Sequence, residues 1–196
     1  MTSPFRKIQL TVATPPEWAA VALSDLDAFL QDHASCERKA SAVGMSFVTG
    51  YPERTLLLEP MIQFAREELD HFHQVFRIME SRGVTLGNDS EDRYVAILQK
   101  EVRSGREERF LDRLLVSALI EARSHERLTL VTEALTDREV QQFYQRLTRA
   151  EDRHKDLFLD LAALYFPSDV IQARFDYFLE RESHAIQSVP FRSAMH

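Results

Sequence analysis

The chain has 196 residues, 44% of them hydrophobic and 28% charged, with a net charge of -7, a balance that gives one domain with a sizeable core and excludes a disordered chain. No run approaches the roughly 18 apolar residues of a membrane span and no N-terminal signal pattern appears; with a single cysteine, Cys36, the expected compartment is the reducing cytoplasm. The acidic total argues against a generic nucleic-acid binder without excluding a local basic face.

Pro4, Pro15, Pro16, Pro52, Pro60, Pro167 and Pro190 punctuate the chain and leave long Pro-free stretches, which suit long helices. The first long helix is expected over 24–50, ending just before Pro52. The second opens at Glu59-Pro60, with Pro in the tolerated first turn, and stops at Gly83. A short helix near 91–102 ends by Gly105, and a third long helix covers 107–134. Thr136 and Glu139 read as a capping box that starts a fourth helix, running to about Tyr165, before Pro167. A last short helix covers 168–182. Period-two alternation is nowhere sustained, so no strand is expected. The expected fold is all-α, a four-helix bundle with additional short helices, forming a single domain over 1–196 with about 20 N-terminal and 15 C-terminal residues peripheral.

Each long helix carries ionisable groups inside its apolar stripe. Met61, Phe64, Val75, Ile78 and Met79 recur at three- and four-residue spacing and enclose Glu68 and His71. Val140, Tyr144, Leu147, Phe158, Leu161 and Tyr165 enclose Glu151 and His154. Phe110, Leu114, Ala118, Leu128 and Val131 surround Glu121, and Leu26, Phe29, Leu30, Ala40, Met45 and Val48 surround Glu37.

A buried unpaired carboxylate is costly, and four of them need a shared cation. Two divalent irons balance four carboxylates and leave both histidines neutral. Each Glu-x-x-His puts a carboxylate and an imidazole one turn apart on one face. The order Glu37, Glu68-x-x-His71, Glu121, Glu151-x-x-His154 repeats with nearly matched spacing, as in ferritin-like di-iron carboxylate bundles. The competing reading, a buried salt-bridge network without metal, lacks core-facing cations. Glu67 shares a polar stripe with Gln63, Asp70 and Gln74, and His73 and Glu126 lie off the stripe centre, so all three are set aside. His125 and His33, each one turn from a proposed ligand, are either second-sphere partners or packed core histidines, and Cys36 is expected to be inert. Small residues near Glu37 and Glu121 (among them Ala34, Gly44, Ser117 and Ala118) suit either room for a substrate or close helix packing.

Several segments resemble one family. Asp32 to Ala40 (DHASCERKA), Arg66 to Phe72 (REELDHF), Glu121 to Arg127 (EARSHER) and Glu151 to His154 (EDRH) resemble the bacterial tRNA hydroxylases of the ferritin-like superfamily. Thr14 to Trp18 and Arg82-Gly83-Val84 fit it as well, and the likeness covers roughly residues 10–180. It implies hydroxylation, with molecular oxygen as co-substrate, of the isopentenyl group of 2-methylthio-isopentenyl-adenosine next to the anticodon. It implies iron ligands at Glu37, Glu68, His71, Glu121, Glu151 and His154, the six already singled out. Many relatives are expected to carry a Cys where His125 stands, which argues against a ligand role there.

That activity needs two electrons per turnover, and the chain has no Cys-x-x-Cys module, so a ferredoxin- or flavodoxin-type donor is implied. Binding tRNA needs positive charge. Arg109, Arg113, Arg123 and Arg127 fall within roughly 80° of arc on the third long helix, as do Arg138, Arg146, Arg149 and Arg153 on the fourth. A merely solvated basic face is the competing reading of both stripes. For the whole chain, iron storage or peroxide removal in the manner of ferritins and rubrerythrins remains the alternative function, and a helical adaptor with a stabilising metal is a third.

Overall fold

The computed structural model describes residues 8–89 and 91–196, Lys155 by its backbone alone. Every regular element among them is helical: α1 (Glu17–Ala22), a 3-10 turn (Leu23–Asp25), α2 (Leu26–Gly50), α3 (Thr55–Ser81), α4 (Arg93–Lys100), α5 (Arg106–Ala134), α6 (Arg138–Glu151), α7 (His154–Ala163) and α8 (Ser168–Ser188). They fall into two compact units, one of residues 20–89 with 192–195, the other of 8–19 with 91–191 and 196.

The first unit is the α2–α3 hairpin. Asp25 caps α2 by accepting the Ala28 N–H at 3.0 Å, and the helix ends at Gly50, before Pro52, as the sequence predicts. The four-residue connection makes the two helices antiparallel neighbours. Helix α3 begins five residues earlier than the Pro60 signal indicates. Leu57 is fully buried in its first turn, and that burial carries the helix through Pro60. The helix stops as expected: Gly83 takes φ 72°, Val84 N–H reaches Met79 O at 2.9 Å, and Gly83 N–H reaches Glu80 O at 3.1 Å. Phe29, Leu30, Ala34 and Phe47 on α2 and Met61, Phe64, Val75 and Met79 on α3 are buried. Met45, expected in the α2 stripe, is exposed instead, because Gly44 is the residue that faces α3 in that turn. A Cβ on Gly44 would stand 3.0 Å from Ala65 Cβ and Phe64 Cδ1, so close packing is what the small residue serves there.

In the second unit α5 packs against α6, α7, α8 and α4. The single helix expected over 136–165 is two helices, interrupted at Asp152-Arg153, where Arg153 N–H bonds to Ala150 O at 3.3 Å in a tightened turn. The cap also differs from the expected box. Asp137 accepts from the N–H groups of Glu139 (3.0 Å) and Val140 (3.2 Å), since its short charged carboxylate reaches both donors. Helix α8 extends to Ser188, past the expected 182.

Two buried ionic groups tie this unit together. Asp112 accepts from Arg103 Nη2 at 2.7 Å and from Arg174 Nε at 2.8 Å. Arg123, fully buried, donates through Nε to Glu182 at 2.8 Å and through Nη2 to Val12 O at 2.7 Å, and also bonds Thr14 and Glu126. Arg127 lies over the buried Trp18 ring at 4.5 Å. The N-terminal segment is thereby fastened to α5 over sequence separations above 100 residues.

Candidate metal centre

In the first unit the helical period puts Glu68 and His71 on one face of α3, and Glu37 comes to them from α2. All three are buried, and each offers a ligand atom within 4.8 Å of the others. Nitrogen and oxygen ligands sit about 2.1 Å from a first-row divalent ion, so two ligands of one ion are at most about 4.2 Å apart, close to this spread. His71 Nδ1 lies 3.5 Å from Glu37 Oε2 and 4.0 Å from Glu68 Oε1. The buried Oε2 of Glu37 makes no hydrogen bond among the described residues. Burial pushes the Glu37 carboxyl up, but His33 and His71 beside it outweigh burial and hold it well below the ordinary carboxylate range.

In the second unit Glu121 comes from α5, Glu151 ends α6, and His154 begins α7. Their ligand atoms also lie within 4.8 Å of one another. Glu151 and His154 are buried, and His154 Nδ1 stands 2.8 Å from Glu151 Oε2. The two residues are drawn together across the tightened turn at 152–153.

Each trio holds two carboxylates and one imidazole. With the imidazole neutral its charge is -2, which one divalent ion cancels, and the donors are nitrogen and oxygen only, a set that suits first-row ions. The residues fit a metal in both trios. Phe64 and Val75 lie one turn before Glu68 and after His71, Leu147 and Phe158 one turn before Glu151 and after His154. All four are buried, so these ligands stand on apolar faces.

His33 is one of the two histidines, with His125, whose role the sequence left open. It is fully buried, and its Nε2 is 2.7 Å from Glu37 Oε1. The signal for it was present, one turn before Glu37 on the same stripe, but a packed histidine gives the same pattern. His125 is half-buried, with Nε2 3.5 Å from Asp152 Oδ1. Glu126 is engaged by Thr14 and Arg123, and His73 is exposed. Cys36 Sγ lies 3.9 Å from Asp32 Oδ2. Of the arginine stripes, Arg109, Arg138, Arg146, Arg149 and Arg153 are exposed and Arg113 is half-buried. Arg123 and Arg127 leave the stripe, because both are buried in the network around Thr14 and Trp18.

The family model described as tRNA-(MS[2]IO[6]A)-hydroxylase (MiaE) matches residues 1–196. A tRNA 2-(methylsulfanyl)-N(6)-isopentenyladenosine(37) hydroxylase from Pseudomonas putida is 40% identical over 152 residues, which cover 78% of this chain and 74% of that protein. A hydroxylase of the same description from Salmonella typhimurium is 37% identical over 132 residues, covering 67% of this chain and about half, 48%, of the relative. A solved structure from Synechococcus, described as protein 43 with aldehyde deformylating oxygenase activity, is 34% identical. It covers 98% of this chain and 96% of its own, with a TM-score of 0.91. This likeness shows the all-helical, ferritin-like class that the sequence predicts.

Proposed function

This chain belongs to the tRNA-(MS[2]IO[6]A)-hydroxylase family, and from that membership we propose that it hydroxylates the isopentenyl group of 2-methylthio-isopentenyl-adenosine in tRNA, with molecular oxygen as co-substrate. The observation that carries the reading is the pair of carboxylate–imidazole trios, within a chain matched by the family over its whole length. In this reading Glu37, Glu68 and His71 ligate one iron and Glu121, Glu151 and His154 a second, the di-iron complement expected from the sequence. Bound iron supplies oxygen activation, chemistry that no side chain performs.

The chain's own residues do three things in that scheme. The carboxylates set the charge of each trio, and a carboxylate can shift its denticity as the metal changes oxidation state while the imidazoles stay fixed. The buried apolar residues one turn either side of the ligands exclude water, which would otherwise intercept an oxidant. The exposed arginines Arg138, Arg146 and Arg149 of α6, with Arg153 just beyond its end, offer phosphate contacts to the tRNA backbone.

Electrons come from outside the chain in this proposal, from a ferredoxin- or flavodoxin-type donor. No helix among the described residues is long and apolar enough to cross a membrane, and a tRNA-modifying enzyme of this kind is placed in the cytoplasm. The deciding experiment is mass spectrometry of tRNA nucleosides from cells with and without the gene. Loss of the hydroxylated adenosine on deletion, and its return on complementation, is expected; an unchanged nucleoside profile overturns the proposal.

A further inference from the structure

The two trios repeat the same ligand order, yet their surroundings differ at one position. Counting four residues back from Glu37 gives His33; counting four back from Glu121 gives Ser117. His33 is fully buried, its ring 6.0 Å from that of Phe29, and its Nε2 is 2.7 Å from Glu37 Oε1. The other oxygen, Oε2, makes no hydrogen bond among the described residues and is the one turned to His71 Nδ1, at 3.5 Å. One oxygen of Glu37 is thus held by a neighbour on its own helix, and the other points toward its fellow ligand.

We infer that His33 is a positioning residue for Glu37: by holding Oε1 it presents Oε2 alone to the metal, as a one-oxygen ligand in a fixed direction. A carboxylate on a flexible Glu side chain can swing between binding through one oxygen and through two. A rigid imidazole nitrogen 2.7 Å from Oε1, itself fixed by complete burial, restricts that freedom on the Glu37 side. Partners of this kind, one bond behind a ligand, orient it and tune the metal. Four residues before Glu121 the sequence has Ser117, so the helix turn that brings His33 to Glu37 carries a hydroxyl in the second trio. The inference rests on the trios being metal sites.

The test is titration of the metal-free full-length protein with cobalt(II), followed by its visible absorption, in wild type and in His33→Leu, His33→Asn and His33→Gln. Gln carries an amide N–H at about the reach of Nε2, whereas Asn stops near the position of Nδ1. Wild type is expected to bind two cobalt ions. The Leu and Asn variants should weaken one affinity by about 10–100-fold and leave the other unchanged, while Gln stays within about threefold of wild type. Thermal melting of the metal-free variants identifies any that fail to fold. If Leu does not fold, the comparison of Asn with Gln carries the result, because both put an amide in the same pocket and differ only in reach. Leu and Asn variants that keep both wild-type affinities overturn the assignment, as does a Gln variant that falls with them, since packing alone would then be the role of His33. Wild-type protein that binds no cobalt overturns the metal-centre reading together with this one, whereas unchanged variants of a cobalt-binding wild type overturn only the role of His33.

Discussion

Glu151 is the last residue of α6 and His154 the first of α7, yet His154 Nδ1 stands 2.8 Å from Glu151 Oε2. A continuous α-helix would place the two on one face at three-residue spacing. The tightened turn at Asp152-Arg153 instead lets the ligand pair close on itself at a helix junction. Helix α3 carries its pair differently: Glu68 and His71 sit within an uninterrupted 27-residue helix, with Glu68 Oε1 4.0 Å from His71 Nδ1.

Replacing His154 by Ala should lower the iron retained after anaerobic reconstitution and desalting from about two ions per chain to about one or fewer, since ligand loss removes at least one site. Elemental analysis per mole of protein makes the measurement. A variant that keeps the wild-type iron content would remove His154 from the ligand set.

Asp112 is a fully buried anion outside the trios, with Arg103 and Arg174 bonded to it. Burial raises its carboxyl, but the bonds from Arg103 and Arg174 outweigh that and hold it below the ordinary aspartate range. A depressed folded-state value stabilises the fold fully above the ordinary value near about 4, and the contribution is lost as pH falls through the lower, folded one. Asp112→Asn should therefore destabilise the protein by about 3 kcal/mol at neutral pH, the low end for breaking a buried pair because Arg103 is partly exposed. It should also flatten the acid limb of stability below about pH 4. Urea melts at several pH values would show both effects; an acid limb as steep as that of wild type would contradict this account.

Gly44 lies where α2 and α3 touch, with Met61 O 3.1 Å from where a Cβ would sit. Alanine there gains up to about 1 kcal/mol of helix propensity but must push Ala65, Phe64 and a backbone carbonyl aside, at about 1–3 kcal/mol. The net expectation is a lower melting temperature for Gly44→Ala and a lower one still for Gly44→Val, measured by circular dichroism. A Gly44→Ala protein more stable than wild type would mean the two helices separate at little cost.

Reversing the exposed stripe at Arg138, Arg146, Arg149 and Arg153 to Glu should weaken tRNA binding and reduce the salt dependence of log K by about 0.7–0.9 for every phosphate the protein no longer neutralises. Filter binding or fluorescence anisotropy at several salt concentrations reads the slope. The same slope in variant and wild type would take α6 out of the interface. Arg123 and Arg127 do not belong in this series, because they are buried and bonded within the fold.

The local part of this protein was written in its sequence. Helical period is a property of the backbone, so spacing alone put Glu68 with His71 inside an apolar stripe, whereas Glu151 and His154 meet across a break between two helices. Gly50-Tyr51-Pro52 and Gly83 ended their helices because Pro lacks a donor and Gly tolerates positive φ. What the sequence could not supply was anything set by residues distant along the chain. Arg123 and Arg127 look like two more members of a basic stripe until Thr14, Trp18 and Glu182 arrive to bury them, from 59 to 113 positions away. Whether Gly44 left space or closed it depended on where Ala65 stood. The start of α3 before Pro60 was likewise decided by tertiary burial of Leu57, and His33 became a partner of Glu37 only once both were inside a folded core. A helix face follows from consecutive residues. What that face meets follows from the whole chain, and only folding brings those atoms within reach.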